Sequence, residues 1–245
     1  IPFKTSGIKT HDDGNLVATS KNTLIRQIKN LDIEFIDSKI EEYSYRPFDS
    51  QFIYYDPNIL GRARENTIYH LKEPNIALIL VQQSQAANTE IFDCAYITKT
   101  LTDTNMFRRG GPSSFPIYLY PKNGQLSIDS HAEPKLNFNP KILEDISNKL
   151  QIPFAIGVSS QDNSFSEIHL IDYIYSVLYS TKYREKYKEI LKTEYPRIPY
   201  PINLATFWKL VNLGSELREI HLLESQVLRK SITKFTIDGD NMVLK

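Results

Sequence analysis

The sequence has one cysteine and few glycines, and both shortages exclude classes of protein. Its 245 residues include nine glycines, five histidines and a single cysteine, Cys94. One thiol cannot build an internal disulfide framework, and it fits a reducing compartment such as the cytoplasm. The histidines lie far apart, so no Cys/His zinc site is expected. Neither G-x-G-x-x-G nor the phosphate-binding P-loop pattern occurs, and nucleotide hydrolysis therefore has no support.

Charge excess and long apolar runs are also missing. Lys plus Arg and Asp plus Glu both number 29, so a nucleic acid or any other charged partner must be met by a local patch. No apolar run approaches the roughly 18 residues that span a bilayer, and the opening IPFKTSGIKT lacks the apolar region of a signal peptide. We expect no membrane partner. Because the chain begins with Ile1 and Pro2, we expect it to be a piece of a longer protein.

The hydrophobic spacing changes character along the chain. Up to about residue 160, short helical patterns such as NTLIRQIKNL alternate with strand-like runs such as QFIYYD and NIALILVQQ. Beyond it, SEIHLIDYIYSVLYS and LATFWKLVNLGSELREIHLLES show helical spacing. The sequence predicts an α+β fold. Residues 1–160 would form a mixed twisted sheet with short helices, and 161–245 a helical region that packs on the sheet or on an absent catalytic core.

Catalytic motifs are scarce. Methyl transfer to an exocyclic amine would need an Asn/Asp-Pro-Pro-aromatic loop, and the nearest stretch, NFNPK, has a single proline. A metal nuclease could use Glu90, Asp93 and Lys99, but 29 acids make such a match expected by chance. Cys94 lies in an apolar stretch that is typical of a small buried residue. We predict no catalytic residue and no metal site in this chain, and keep the nuclease as an alternative.

Two polar segments are candidates for reading DNA bases. Arg108 and Arg109 lie in the glycine-flanked loop FRRGGPSS and could fork onto guanine O6 and N7. Gln82, Gln83 and Gln85 follow an apolar strand, and glutamine can contact adenine N6 and N7 together. The structural alternative for the arginine segment is an ordinary solvated loop.

Other residues are candidates for phosphate contacts. Arg62 and Arg64 flank an alanine before a short helix, where cations can meet a phosphate. In KTLTDT the threonines stand at every second position, so a strand would present them on one face. Lys99, Thr100 and Thr102 of that segment complete the set; the alternative is the solvated side of a sheet.

The stretch YSYRPFDSQFIYY predicts a corner between two strands. Pro47 fixes the backbone and removes a ladder donor, so the strand must bend after Arg46. We expect Asp49 to pair with Arg46 or to accept turn amides, while the aromatic residues fill the bend. The alternative gives Arg46 a phosphate contact.

Several of these blocks together resemble a known family. YRPFDSQFIYY, GRARENTIYHL, FPIYLYP and DYIYSVLYSTKYREKYKEILKTEYPRIPYP occur in the order seen after the adenine methyltransferase core of single-chain restriction-modification enzymes, types ISP and IIG. The opening SGIKTHDDGNLVA resembles the link from that core into its target recognition domain. The resemblance covers nearly the whole chain.

The resemblance implies a division of labour. An upstream nuclease and an N6-adenine methyltransferase, with S-adenosylmethionine and Mg²⁺, would carry out restriction and modification in phage defence. This chain would hold no cofactor. It would recognise a short double-stranded DNA sequence, contact its own upstream methyltransferase domain and position the duplex for base flipping. The alternative from another class is a protein-interaction module that docks a partner through the aromatic clusters and the helix FWKLVNLGSELREIHLLE.

Overall fold

A computed structural model describes residues 1–31, 33–82, 92–107, 111–122, 133–157 and 163–230. The strands of this part are β1 Thr5–Ser6, β2 Val17–Ala18, β3 Ile40–Arg46, β4 Asp49–Tyr54, β5 Ala77–Leu80, β6 Ala95–Thr98, β7 Leu101–Thr102, β8 Ser113–Pro116, β9 Tyr118–Leu119 and β10 Lys135–Leu136. The helices are α1 Asp13–Leu16, α2 Lys21–Lys29, α3 Glu65–Ile68, α4 Pro140–Leu150, α5 Glu167–Tyr179, α6 Thr181–Lys186, α7 Lys188–Thr193 and α8 Leu204–His221. Short 3-10 turns cover Asp37–Lys39, Tyr69–Leu71 and Gln226–Arg229. Within these ranges, no helix is both long and apolar enough to cross a membrane.

The strands form two four-stranded sheets. The first has the order β1-β8-β5-β6 and is antiparallel throughout. The second has the order β2-β4-β3-β7, in which only β3 and β7 run parallel. A separate pair joins β9 to β10. Short helices between the strands complete the mixed architecture that the sequence predicted.

The first sheet lies between two hydrophobic cores. Successive side chains of a strand point to opposite faces. Ala77 and Ile79 of β5 therefore join the core that is shared with the second sheet, while Leu78 and Leu80 join the core that is shared with the helices. A strand buried on both faces reads as a continuous apolar run. This accounts for NIALILV in the sequence.

The helical region packs on this sheet. Ser166 caps α5 through a capping box with His169. Leu170 of α5 and Phe207 of α8 are buried in the same core as Leu78. The predicted α+β class is confirmed. The predicted boundary at residue 160 lies outside the described residues and stays a prediction.

The corner at residues 46–49 is a two-residue hairpin turn. Arg46 and Asp49 are partners at the ends of β3 and β4, with Pro47 and Phe48 between them. Phe48 has the left-handed φ of 63° that the second turn residue requires, and its amide donates to Tyr96 Oη at 3.1 Å. The bend was predicted correctly. The pairing of Arg46 with Asp49 was wrong, because Asp49 accepts from the Gln51 amide.

Arg46 instead pairs with Asp103. Its Nη1 lies 2.9 Å from Asp103 Oδ1. β7 runs parallel to β3, and Asp103, the next residue after β7, donates its amide to the Ser44 carbonyl. This parallel pairing joins residues that are far apart in sequence, and no local pattern predicts it.

Candidate nucleic-acid interface

One end of the first sheet gathers segments from four parts of the chain. Leu80, the last residue of β5, is opposite both Ala95, the first residue of β6, and Ser113, the first residue of β8. Ser6, the last residue of β1, is also opposite Ser113. The chain therefore leaves β1 and β5, and enters β6 and β8, at the same end. We call it the loop end, defined by Ser6, Leu80, Ala95 and Ser113.

Both predicted base-reading segments open from the loop end. Gln82 stands two residues past Leu80 and is half-buried. Gln83 and Gln85 lie outside the described residues. So do Arg108 and Arg109, although their described neighbours Phe107 and Gly111 come directly before β8. The base-reading roles stay predictions, but the topology brings the borders of both segments together.

A cavity of about 500 Å³ opens beside this end. Phe48 lines it from the hairpin corner, Tyr96 from β6, and Phe107 from the segment before β8. Arg46 and Asp93 add polar groups to the same lining. The corner that the sequence marked is therefore part of the loop end's surroundings.

A basic pair lies where β1 continues past the loop end. Lys9 and Arg62 form an antiparallel bridge: the Lys9 amide donates to the Arg62 carbonyl at 3.1 Å, and the Arg62 amide donates back at 2.8 Å. Both side chains are exposed. Lys9 was not predicted, because its neighbour in space is far away in sequence and a lone lysine carries no signal.

Arg64 begins α3 in an unusual conformation. Its φ of 58° is left-handed, and its carbonyl accepts from the amides of Thr67 and Ile68 at 2.8 and 2.9 Å. The Nε of Arg64 is buried and has no hydrogen-bond partner in the part of the chain that the structure describes. A phosphate contact by Arg64 stays a prediction.

Two of the other cations predicted at phosphates are paired with carboxylates. Arg46 lies on Asp103, whose side chain is 3% exposed and also accepts from Tyr43 Oη at 2.6 Å. Burial raises the pKa of the Asp103 carboxyl, and the hydrogen bond from Tyr43 opposes this rise. Lys99 lies 2.5 Å from Glu224 on the surface. Each would have to exchange or share its partner to bind a phosphate.

The threonine segment is internal and does not form one strand face. β6 ends at Thr98 and β7 begins at Leu101, so the alternation is broken. The hydroxyls of Thr98 and Thr100 lie 2.7 and 2.8 Å from Ser44 Oγ. Thr102 is fully buried, and its hydroxyl lies 3.0 Å from that of Ser114. This burial does not fit the phosphate contact that we predicted for Thr102.

Cys94 and Lys99, which were considered for catalysis, take part in contacts that stabilise the fold. Burial raises the pKa of the Cys94 thiol to about 12, so the thiolate is disfavoured. Its Sγ donates to Asp93 Oδ1 at 3.3 Å. Lys99 pairs with Glu224, and Glu90 lies outside the described residues. Within the described ranges, His, Cys, Asp and Glu form no group of three that could hold a metal ion.

The interaction-module alternative placed a partner on the last long helix. In the structure α8 packs along α5, with Phe207 and Val211 buried inside this chain. The ring of Phe207 lies 5.5 Å from that of Tyr173 on α5. The apolar stripe of this helix is thus used for the protein's own core.

Comparison with known proteins decides the family. A family model described as the Type ISP C-terminal specificity domain matches residues 2–245. The chain belongs to this family. The resemblance that the sequence blocks indicated is thereby confirmed, and the chain is a specificity domain of restriction-modification enzymes. A search of curated proteins found no match.

Solved structures share the fold of the specificity domain. The Type ISP restriction-modification enzyme LlaBIII bound to DNA is 21% identical with a TM-score of 0.64, and a DrdV–DNA complex is 20% identical with a TM-score of 0.70. A nuclease-deletion mutant of the Type ISP enzyme LlaGI, in complex with a DNA substrate mimic, is 19% identical with a TM-score of 0.59. Each match covers 90% of this chain but only 16%, 23% and 22% of those proteins, in the same order.

Proposed function

We propose that this chain recognises a short sequence in double-stranded DNA for a restriction-modification enzyme with an adenine-specific methyltransferase. The observation that carries the proposal is the convergence at the loop end. The Gln82 segment and the borders of the Arg108–Arg109 segment adjoin the first sheet there, and Lys9, which pairs with Arg62, follows three residues after the last residue of β1. A site of this kind combines groups for base edges with groups for phosphates.

The DNA complexes of similar proteins support this proposal. LlaBIII and DrdV are described as bound to DNA, and LlaGI as bound to a DNA substrate mimic. In this chain Gln82 and the described residues that border the Arg108–Arg109 segment adjoin a sheet that is buried on both faces. A rigid sheet with polar loops is suited to hold such side chains in fixed positions.

The net charge of zero fits a chain that shares DNA binding with other parts of a longer enzyme. With 29 residues of each sign, affinity must come from local cations and from other parts of a longer enzyme. Those parts would also hold the S-adenosylmethionine and Mg²⁺ needed for methylation and cleavage. The present chain would supply specificity while the methyltransferase domain holds the flipped adenine.

The helical region offers a surface for the rest of the enzyme. Large apolar side chains are exposed at Ile202, Val227 and Leu223, by 78%, 68% and 56%. Leu223, Val227 and Leu228 are exposed within six residues of the chain, and grouped apolar side chains on a surface mark contacts with other domains. We assign this region to the contact with the upstream methyltransferase domain.

The test compares how tightly the chain binds three kinds of nucleic acid whose sequences come from one random pool. Fluorescence anisotropy would follow the chain binding to random duplexes, to the separated single strands and to RNA hairpins at about 50 mM salt. We expect duplex DNA to bind most tightly, with binding that weakens steeply toward about 200 mM salt. Equal binding of all three, or binding of none by the folded chain, would contradict the proposal.

A further inference from the structure

Lys9 and Arg62 form a cross-strand pair of like charges. Because each residue donates its amide to the other's carbonyl, they occupy a hydrogen-bonded position in which their Cα atoms are about 5.5 Å apart. Side chains at such positions project on the same side of the ladder, and like charges directly opposite each other repel. An anion that binds both side chains would relieve this repulsion.

Among the described residues, no carboxylate forms an ion pair with Lys9 or Arg62. Within the part of the chain that the structure describes, the side chains of Lys9 and Arg62 have no ion pair and no hydrogen bond. Near Lys9 in sequence, Asp12 accepts from the Asn15 side-chain amide at 2.9 and 3.1 Å, and Asp13 accepts from Tyr45 Oη at 2.8 Å. Glu65, three residues after Arg62, is exposed and forms no ion pair with Arg62.

Four cations of the sheet region have a carboxylate partner within 3 Å: Lys39 with Asp56, Arg46 with Asp103, Lys72 with Glu41, and Lys99 with Glu224. Lys9 and Arg62 are in none of these ion pairs, and neither are other described cations such as Lys21 and Arg26. What distinguishes Lys9 and Arg62 is that the backbone bridge holds two cations opposite each other.

The backbone of the pair is fixed on both sides. The Gly61 amide donates to the Thr10 carbonyl at 3.1 Å, and a Cβ on Gly61 would lie 2.5 Å from the His11 ring. On the other side Tyr55 Oη donates to the Ala63 carbonyl at 3.0 Å. The two cations are therefore presented from a rigid bridge, and only their side chains need ordering when a ligand binds.

We propose that Lys9 and Arg62 together bind one phosphodiester group of the DNA backbone and so set the register of the duplex on the loop end. This inference rests on the proposed function and adds Lys9, together with a paired geometry, to it. A guanidinium can donate two hydrogen bonds to phosphate oxygens, and the ammonium adds a point charge on the same group. Phosphate contacts fix register and carry no sequence information of their own.

The test is the salt dependence of duplex binding by the full chain. The double variant Lys9→Gln with Arg62→Gln should lower the slope of log affinity against log salt by about 0.9 or more, the value for one phosphate contact. Between about 50 and 200 mM salt, the loss of affinity should then be about 3.5-fold smaller than in the wild type. The charge-conserving exchange Lys9→Arg with Arg62→Lys should keep most of the wild-type slope.

A matched control removes two exposed lysines, one from α4 and one from α8. The variant Lys141→Gln with Lys209→Gln loses the same net charge and should keep the wild-type slope. The Lys9/Arg62 double variant should also unfold at the wild-type urea concentration or above it, because the repulsion is removed. A purely structural role would instead lower that midpoint.

The outcomes separate this inference from the proposed function. Duplex binding by the wild type with an unchanged slope in the double variant would contradict the inference alone. An equal fall in the control variant would also contradict it, since any cation would then serve. If inorganic phosphate at constant ionic strength abolished the difference in slope between the wild type and the double variant, the site would bind free phosphate rather than the DNA backbone. That result would contradict the inference. Absence of duplex binding by the folded wild type would contradict the proposed function and the inference together.

Discussion

Gly214 of α8 lies against the backbone of α5, so a single added methyl group there should destabilise the protein. A Cβ at this position would lie 1.9 Å from the carbonyl oxygen of Asp172 and 2.5 Å from its carbonyl carbon. Ordinary contacts between heavy atoms are about 3.5 Å or longer. The two helices would have to separate by roughly 1.6 Å to accept an alanine.

Separation of the helices would disturb the contacts on either side of Gly214. Arg218, one turn further along α8, donates from Nε and Nη2 to the Asp172 carboxylate at 2.6 and 3.1 Å. Phe207, on the other side, is fully buried against α5. Overpacking of a core costs about 1–3 kcal/mol, and backbone atoms cannot move away as a flexible side chain does. Alanine gains about 1 kcal/mol over glycine in a helix.

We therefore expect Gly214→Ala to lower the free energy of unfolding by about 2 kcal/mol. Urea unfolding followed by circular dichroism would measure this as a midpoint shift of about 1 M. Gly14→Ala is the matched control, since a Cβ on Gly14 of α1 meets no atom within 4 Å. That variant should be as stable as the wild type or more stable. A Gly214→Ala protein within about 0.5 kcal/mol of the wild type would refute the close helix packing described here.

Two further predictions concern stability. Burial lowers the pKa of His70, His169 and His221 below the ordinary value of 6.5, so the unfolded state binds more protons below that pH. The free energy of unfolding should therefore fall as the pH drops from about 7 toward the lowered values, and urea midpoints that stay level across this window would contradict the burial of these rings. Thr102→Val should cost about 1 kcal/mol, because the hydroxyl of Ser114 loses its partner, while the salt slope of DNA binding stays unchanged; a lower slope would place Thr102 at a phosphate after all.

The sequence predicted those elements whose causes are local. The helix over NTLIRQIKNL is found at Lys21–Lys29, and the helical spacing of SEIHLIDYIYSVLYS corresponds to α5 at Glu167–Tyr179. The bend at Pro47 also followed from local sterics. Each of these features depends on residues within a few positions of one another.

Features that depend on distant pairing were missed or misread. The threonines of KTLTDT were assigned to one strand face, but the chain turns at Lys99 and Thr100 and passes into the other sheet. Asp49 was one of the partners expected for Arg46, whereas the parallel β3–β7 pairing brings Asp103 to it. Lys9 was overlooked because only its bridge with Arg62 makes it distinctive. No period or spacing in the sequence encodes these pairings.

The sequence predicted which types of residue belong to the candidate site, but not how they are arranged in space. Glutamines after an apolar strand and arginines in a glycine-flanked segment indicated base reading, and the register shows that both segments adjoin the same end of the sheet. That convergence depends on the antiparallel order β1-β8-β5-β6, which hydrophobic patterns do not specify.

Selection from a pool of randomised duplexes tests the central claim most directly. The folded chain would be incubated with the pool at about 50 mM salt, and bound duplexes would be recovered, amplified and sequenced over several rounds. We predict enrichment of one short motif, and loss of that enrichment without loss of folding when Gln82, Arg108 and Arg109 are replaced together by alanine. Bound duplexes with no shared motif, from a chain that binds DNA and is folded, would contradict sequence recognition by this domain.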